Sequence, residues 1–306
     1  MNINKVINFM SYQKPAVAIS LILIVTSFFM VFSKGLNFGI DFTGGIIIEA
    51  EFEQESNLQD IRDLLDANEF QNALVQNFGS PNDVLIRLEP QENMDGGAVR
   101  DQILSLLTSI DSSAELLRIE FVGPQVGQDL TEQGSLAMLF ALIMIFIYVT
   151  FRFKWKFALG ALTALVHDVI ILIGFFALFQ RNFDLTILAA VLATIGYSLN
   201  DTIVVYDRIR ENFRVMRGEA PLAITNQSIT QMLGRTIITS GTTLIVLLAL
   251  FFLGGETVSG FALALIVGIF VGTYSSIFIA CALVLSLKIS NEDFMERKVE
   301  EIDDLP

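Results

Sequence analysis

Cysteine and histidine are almost absent from this chain of 306 residues, which holds one of each, Cys281 and His167. That excludes a disulfide framework within the chain, and no CxxC or HExxH pattern points to zinc. No phosphate-cradling glycine loop with its lysine occurs, and no dinucleotide-binding glycine pattern. Neither metal nor cofactor is therefore expected, and the energy for any work must come from something other than a bound nucleotide. Charge is also scarce, 17% of residues where soluble domains average about 25%. What is abundant is apolar: 53% hydrophobic residues and a mean hydropathy of +0.61. A bilayer-spanning helix needs about 20 such residues in a row. Six runs qualify, at about 15–33, 134–151, 157–179, 185–206, 236–253 and 260–287. The composition predicts a polytopic α-helical membrane protein of six transmembrane helices, with one soluble insert over 34–133.

The first run follows Lys5 and Lys14 as a secretory signal does, but it is long and lacks a small-x-small cleavage site, so it is expected to stay as an anchor. Basic residues collect on the side from which export starts. A cytoplasmic N-terminus (1–14) puts Arg152, Lys154, Lys156, the loop 207–235 with its five arginines, and the tail 288–306 on one side. Thirteen of the 19 basic residues then lie inside. Both termini are expected in the cytoplasm and the insert outside. The insert holds five basic and nineteen acidic residues, a net charge equal to the −14 of the whole chain. Nucleic acid and anionic surfaces are poor partners for it. The acidic tail, Glu292 to Asp304, reads as solvated.

Within the insert, "GGIIIEAEFE" (44–53) alternates Ile48, Ala50 and Phe52 with Glu49, Glu51 and Glu53, the signature of a half-buried strand. Asn57 caps a helical pattern through Leu58, Ile61, Leu64 and Leu65. Strands are expected at 73–79 and 83–89 around a Ser-Pro-Asn turn, a helix at 96–110 and a last strand at 114–123. The order βαββαβ is the α+β ferredoxin-like unit. No nucleophile, base and orienting group cluster in it, so catalysis is not expected.

The spans carry a few polar residues that need a reason, since an aspartate at bilayer depth costs about 2.5–3.5 kcal/mol on insertion scales. On span four, Thr194, Tyr197, Ser198 and Asp201 fall at i, i+3, i+4 and i+7 and share one helix face. Ala189, Ala190, Ala193 and Gly196 add small residues that permit close helix approach. Counting back from Tyr206 puts Asp201 roughly 8 Å inside the membrane edge, while Asn200 falls off the polar face. His167 and Asp168 sit near the middle of span three, and Arg235 opens span five. An intramembrane ionisable group suggests a proton relay, with His167, Asp168, Tyr197, Ser198 and Asn200 as candidate members beside Asp201 and Arg235. Plain structural roles stand next to that reading. Arg235 serves equally as an interfacial anchor, His167–Asp168 as a satisfied interhelical pair, and Asp201 as the partner of Arg235 in a packed ion pair. The Tyr206-Asp207 dipeptide occurs in intramembrane aspartyl proteases, but their Gly-x-Gly-Asp partner pattern is missing, and that chemistry is rejected.

Two stretches carry a family resemblance. "GLNFGIDFTGGIIIE" (35–49) is similar to the entry into the extracytoplasmic domain of the SecD/SecF protein-export family, and "IGYSLNDTIVVYDRIREN" (195–212) resembles the fourth-span signature of its SecF side. "VGPQVGQDL" (122–130), "HDV" (167–169) and "GRTIITSGTTL" (234–244) match further elements in order, so the resemblance covers essentially the whole chain. It implies half of a transporter of the resistance-nodulation-division type, with SecD as the other half. SecYEG, SecA, membrane lipid and the unfolded exported polypeptide are the implied surroundings, and the proton-motive force is the implied drive. At the family's proton-pathway positions stand Asp201 and Arg235. Two readings stay open beside this one: a non-conducting scaffold that assembles SecD with the channel, and half of a small-molecule or lipid exporter.

Overall fold

A hydrocarbon layer offers no water to backbone N–H and C=O groups, so apolar stretches of this length satisfy themselves as helices. The computed structural model describes residues 6–68, 70, 73–89, 96–290 and 293. After a 3₁₀ turn (Phe9–Tyr12), α1 (Gln13–Lys34) leads through the short strand β1 (Asn37–Phe38) and the single turn α2 (Ile40–Thr43) into a sheet domain. That domain runs β2 (Gly45–Glu51), α3 (Leu58–Ala67), β3 (Leu74–Phe78), β4 (Ser80–Leu88), α4 (Gly96–Ile110) and β5 (Glu115–Val122). The chain continues through α5 (Pro124–Arg152), α6 (Trp155–Phe179), β6 (Asn182–Phe183), α7 (Leu185–Val215), α8 (Pro221–Leu253) and α9 (Gly255–Ser275). A π-helical segment (Ser276–Ala280) then joins α9 to α10 (Cys281–Ser286). Six helices among the described residues are long and apolar enough to cross a membrane. The chain is a multi-pass membrane protein.

The sheet domain has strand order β3-β4-β2-β5, every neighbour antiparallel, the arrangement of the ferredoxin-like unit. Ile46, Ile48, Ala50 and Phe52 of the β2 segment face α3 and α4, where Ile61, Leu65, Ile103 and Leu107 close a buried core. Asn57 caps α3 by accepting the Gln59 N–H at 3.0 Å. On the opposite face Glu49 lies 3.7 Å from Arg118. Burial holds the Glu49 carboxyl above its ordinary range, only partly offset by the Arg118 charge. The expected Ser-Pro-Asn turn is displaced. The chain reverses at Gly79, with Phe78 opposite Ser80, and Ser80-Pro81-Asn82 already belongs to β4. Gly79 takes φ +79, which any other residue at that corner adopts at a cost, so the reversal falls there.

Three segment bounds also differ from the sequence expectation. α5 begins at Pro124, ahead of the apolar run at 134–151, with proline at the first helical position, where its missing N–H costs nothing. The loop 207–235 is helical apart from the turn 216–220. With no glycine or proline between Asp207 and Val215, nothing stops α7, and its 31 residues reach about 46 Å. Hydrophobicity marked only the part in the apolar layer. Beyond it α7 and α8 zip together through Asn212 to Ser228 (2.8 Å) and Arg208 to Gln231 (2.6 Å). Asp207 is held by Arg152 at 2.7 Å.

α6 and α7 form the buried centre, with α9 packed on both, α1 on α6 and α8 on α7 and α9. The outer faces of α1, α5 and α8 expose large apolar side chains such as Phe32, Phe140 and Ile245, as lipid or another apolar chain requires. Of the segments 1–14 and 288–306, residues 1–5, 291, 292 and 294–306 lie outside the described ones, and the solvated reading of the acidic tail falls there. Asp293 is an exception. Burial raises its carboxyl, but the Lys156 ammonium at 2.7 Å and the Ser290 N–H outweigh that and hold it below the usual range.

Gly45 takes φ +123, and a Cβ there would run into the Leu88 carbonyl oxygen. Gly45→Ala is predicted to cost the protein about 1–3 kcal/mol or more, seen as a lower thermal unfolding temperature in detergent. Gly35→Ala, also at positive φ but with open space around it, serves as the milder control.

Candidate functional site

Two polar clusters lie between the central helices, and both hang on α7. The larger surrounds Asp168 on α6, which is 1% exposed. A carboxylate in such a place persists only with donors around it. Its Oδ2 accepts from Ser198 of α7 at 2.5 Å and from Ser275 of α9 at 2.8 Å, and its Oδ1 faces His167 Nδ1 at 2.9 Å. The other imidazole nitrogen, Nε2, lies 3.0 Å from Ser20 Oγ on α1. Ser20 also lies 3.2 Å from the Tyr274 hydroxyl, which donates to the Ala16 carbonyl at 2.6 Å. Adjacent residues on a helix point about 100° apart, so His167 and Asp168 serve different neighbours while still touching each other. Four helices are joined here: α1, α6, α7 and α9.

Tyr274 spends its proton on Ala16, and Ser20 Oγ lies between His167 Nε2 and the Tyr274 oxygen, so its one hydroxyl proton can serve either neighbour.

The second cluster ends on Asp201, 4% exposed. Tyr197 donates to Ser240 of α8 at 3.3 Å, Ser240 lies 3.2 Å from Thr273 of α9, and Thr273 donates to Asp201 Oδ2 at 3.3 Å. The three hydroxyls can all point one way, toward the carboxylate. Arg235 is exposed at the position predicted to open span five, five residues before Ser240 on α8. No nitrogen–oxygen contact within 4.0 Å joins it to Asp201 among the described residues, so the packed ion pair is corrected to a hydroxyl-bound carboxylate. Thr273 of α9 supplies the direct donor to Asp201, and the Arg235 charge acts on it from beyond salt-bridge distance. Asn200 is exposed and outside both clusters.

Sequence reasoning missed Ser20, Ser240, Thr273, Tyr274, Ser275 and Ser276. The last four stand in "GTYSS" (272–276), a polar run inside an apolar span and the one signal that was there to be read. Those residues lead into the π-helical segment, where Ser276 Oγ meets Thr202 Oγ1 at 2.8 Å and donates to the Ser198 carbonyl at 3.3 Å. Such local widenings of a helix are frequent at functional sites. Gly268 and Gly272 let α9 approach Thr194 and Ser198 closely. Thr194, on the predicted polar face, is the one described residue with a buried side-chain oxygen lacking a hydrogen-bond partner. No group of three or more His, Cys, Asp or Glu that could hold a metal occurs among the described residues.

Residues 102–290 match the family described as protein export membrane protein SecD/SecF, C-terminal, and residues 29–55 match the SecD/SecF GG motif. The chain belongs to the SecD/SecF family. Among its SecD/SecF relatives, the protein translocase subunit SecF of Vibrio alginolyticus is 52% identical over 99% of this chain and 98% of its own. The SecF subunit of Pseudomonas aeruginosa is 48% identical over 98% of each. Among solved structures, SecDF of Thermus thermophilus, a translocon-associated membrane protein, superposes with a TM-score of 0.86 at 38% identity. The match covers 94% of this chain and 39% of that one, so the chain spans about two fifths of SecDF. SecDF in its super-membrane-facing form gives a TM-score of 0.70 at the same identity.

Asp168→Ala leaves two hydroxyls and an imidazole without their acceptor and is predicted to destabilise the protein by about 3–5 kcal/mol. Ser275→Ala removes one donor of several and should cost nearer about 1 kcal/mol. Unfolding temperatures in detergent micelles order the two.

Proposed function

We propose that the chain is the SecF-type half of a proton-driven machine that assists protein export. It pairs with SecD and works beside the SecYEG channel and SecA on unfolded polypeptide crossing a bacterial inner membrane. Both termini face the cytoplasm and the sheet domain lies outside. The observation that carries this reading is Asp201: a carboxylate buried in a membrane-spanning helix, bound by a hydroxyl chain rather than neutralised by a fixed cation. A group held that way can take up and release a proton, whereas a locked ion pair holds its charge.

Protonation removes the charge that Tyr197, Ser240 and Thr273 serve, and their hydroxyls reverse direction. α7 and α9 then lose part of what holds their relative position. Arg235 stays free to approach ionised Asp201 when the helices shift, which lowers the cost of the charge in one state only. Each charge moved across the membrane potential contributes about 2.3 kcal/mol per 100 mV, enough to bias a helix displacement. His167, Asp168 and Ser198 form the neighbouring polar cluster, one turn of α7 away from Asp201. The proton gradient supplies the energy without a bound cofactor. SecD supplies the rest of the route, as the share of the SecDF chain matched here supports.

Inverted membrane vesicles test the reading. Asp201→Asn is predicted to abolish the part of translocation that responds to the proton-motive force, while SecD still co-purifies at the wild-type level. Undiminished gradient-dependent translocation would overturn the proton role and leave the scaffold reading in its place.

A further inference from the structure

The stretch "GLNFGIDFTGG" (35–45) belongs to neither cluster. Its contacts give it a task. β1 pairs in parallel with β6, the two residues that lead into α7, with Asn37 opposite Asn182 and Phe38 opposite Phe183. Gly39 N donates to the Phe183 carbonyl at 2.8 Å, and Asn37 Nδ2 to Asn182 Oδ1 at 2.8 Å. A Cβ on Gly39 would stand 2.9 Å from the Asp184 Cβ, so the approach is as close as glycine allows. The rings of Phe38, Phe42 and Phe176 pack around Phe183 with centroids about 6 Å away (6.1, 6.1 and 6.0 Å). The central contact is Asp41, whose Oδ2 accepts the backbone N–H of Leu185, the first residue of α7, at 3.0 Å.

The first N–H groups of a helix have no partner within it. α7 uses its own Asp184 for Ile187 at 2.9 Å and takes a second cap from a residue 144 positions away in the chain. On the other side the stretch is tied to the sheet, because Arg87 of β4 donates to Thr43 Oγ1 at 2.9 Å. Two glycines later the chain is β2, a central strand. From Leu185, α7 runs unbroken to Val215 with Asp201 about 24 Å along it.

We propose that Asp41 is a positioning residue that couples α7 to the sheet domain, by holding the first N–H of the helix that carries Asp201 from the single turn α2 that leads into strand β2. Movement of α7 is thereby delivered to the sheet with no loop between them to absorb it. The coupling rests on the proposed proton role of Asp201 only for what drives the helix.

The bond can be cut from either end. Asp41→Ala removes the acceptor. Leu185→Pro removes the donor, and proline fits there: it is the first helical position, and Asp184 before it is already extended at φ −114, ψ −176. Leu185→Ala keeps the N–H and controls for the lost side chain, and Asp41→Asn keeps an accepting oxygen. In the complex with SecD, spin labels at the exposed positions 101 on α4 and 214 at the far end of α7 report the distance between domain and helix. Asp41→Ala and Leu185→Pro are each expected to broaden the distance distribution, the double variant no further, and the two controls not at all. In vesicles the same two variants should lower gradient-stimulated translocation by about fivefold, again without adding to each other. Additive broadening, a narrow distribution in Asp41→Ala, or Asp41→Asn as broad as Asp41→Ala would overturn the coupling. If Asp201→Asn leaves translocation unchanged, the functional reading fails, while the spin-label distances still decide whether Asp41 couples the two parts.

Discussion

A carboxylate taken from water into an apolar bundle loses several kcal/mol of hydration and recovers them only from donors already in place. Asp168 meets that demand with three, Ser198, Ser275 and His167, each from a different direction, and the four central helices are arranged so that those donors converge. The hydrogen bonds hold α6 to α7 and α9, and through His167 and Ser20 they hold α1 as well. The glycines of α9 go with the same arrangement: Gly268 and Gly272 bring α9 against Thr194 and Ser198 of α7, and Ser275 and Ser198 meet at one Asp168 oxygen.

Asp201 is satisfied less completely, and the contrast between the two carboxylates organises the molecule. One is gripped by short bonds from three side chains; the other ends a loose hydroxyl chain with bonds near 3.3 Å. The first carboxylate ties α6 to α7 and α9 at one point, and the second ties α7 to α9 and, through Thr273 and Ser240, to α8. α7 bears on both, through Ser198 on one side and Asp201 on the other. Its remaining end is fastened to the sheet domain by Asp41 and the β1–β6 pair. One helix thus meets both carboxylate clusters and the domain.

Much of this was legible in the chain. The six spans follow from hydrophobic length, and the domain follows from the alternation of Ile48, Ala50 and Phe52 with glutamates and from the cap at Asn57. Helix periodicity put Ser198 and Asp201 on one side of α7. It did not separate them, and in space Ser198 turns to Asp168 while Asp201 turns to Thr273. The ends of α7 and α8 were misjudged because hydrophobicity reports the apolar layer, whereas a helix stops where its backbone must. Isolated serines and threonines in apolar helices carry little signal, since most of them bond their own preceding turn, as Thr163 does to Leu159.

By itself the sequence determined the class, the number of spans, the sheet domain and the few ionisable groups that apolar surroundings make costly. These are properties of single segments, set by hydrophobicity, period and turn chemistry. Which donor meets which carboxylate, whether Arg235 neutralises Asp201, and how "GIDFTGG" caps a helix 144 residues away were decided only by tertiary structure. Hydrogen bonds between segments depend on distance and angle at the scale of an ångström, and helix packing alone sets those.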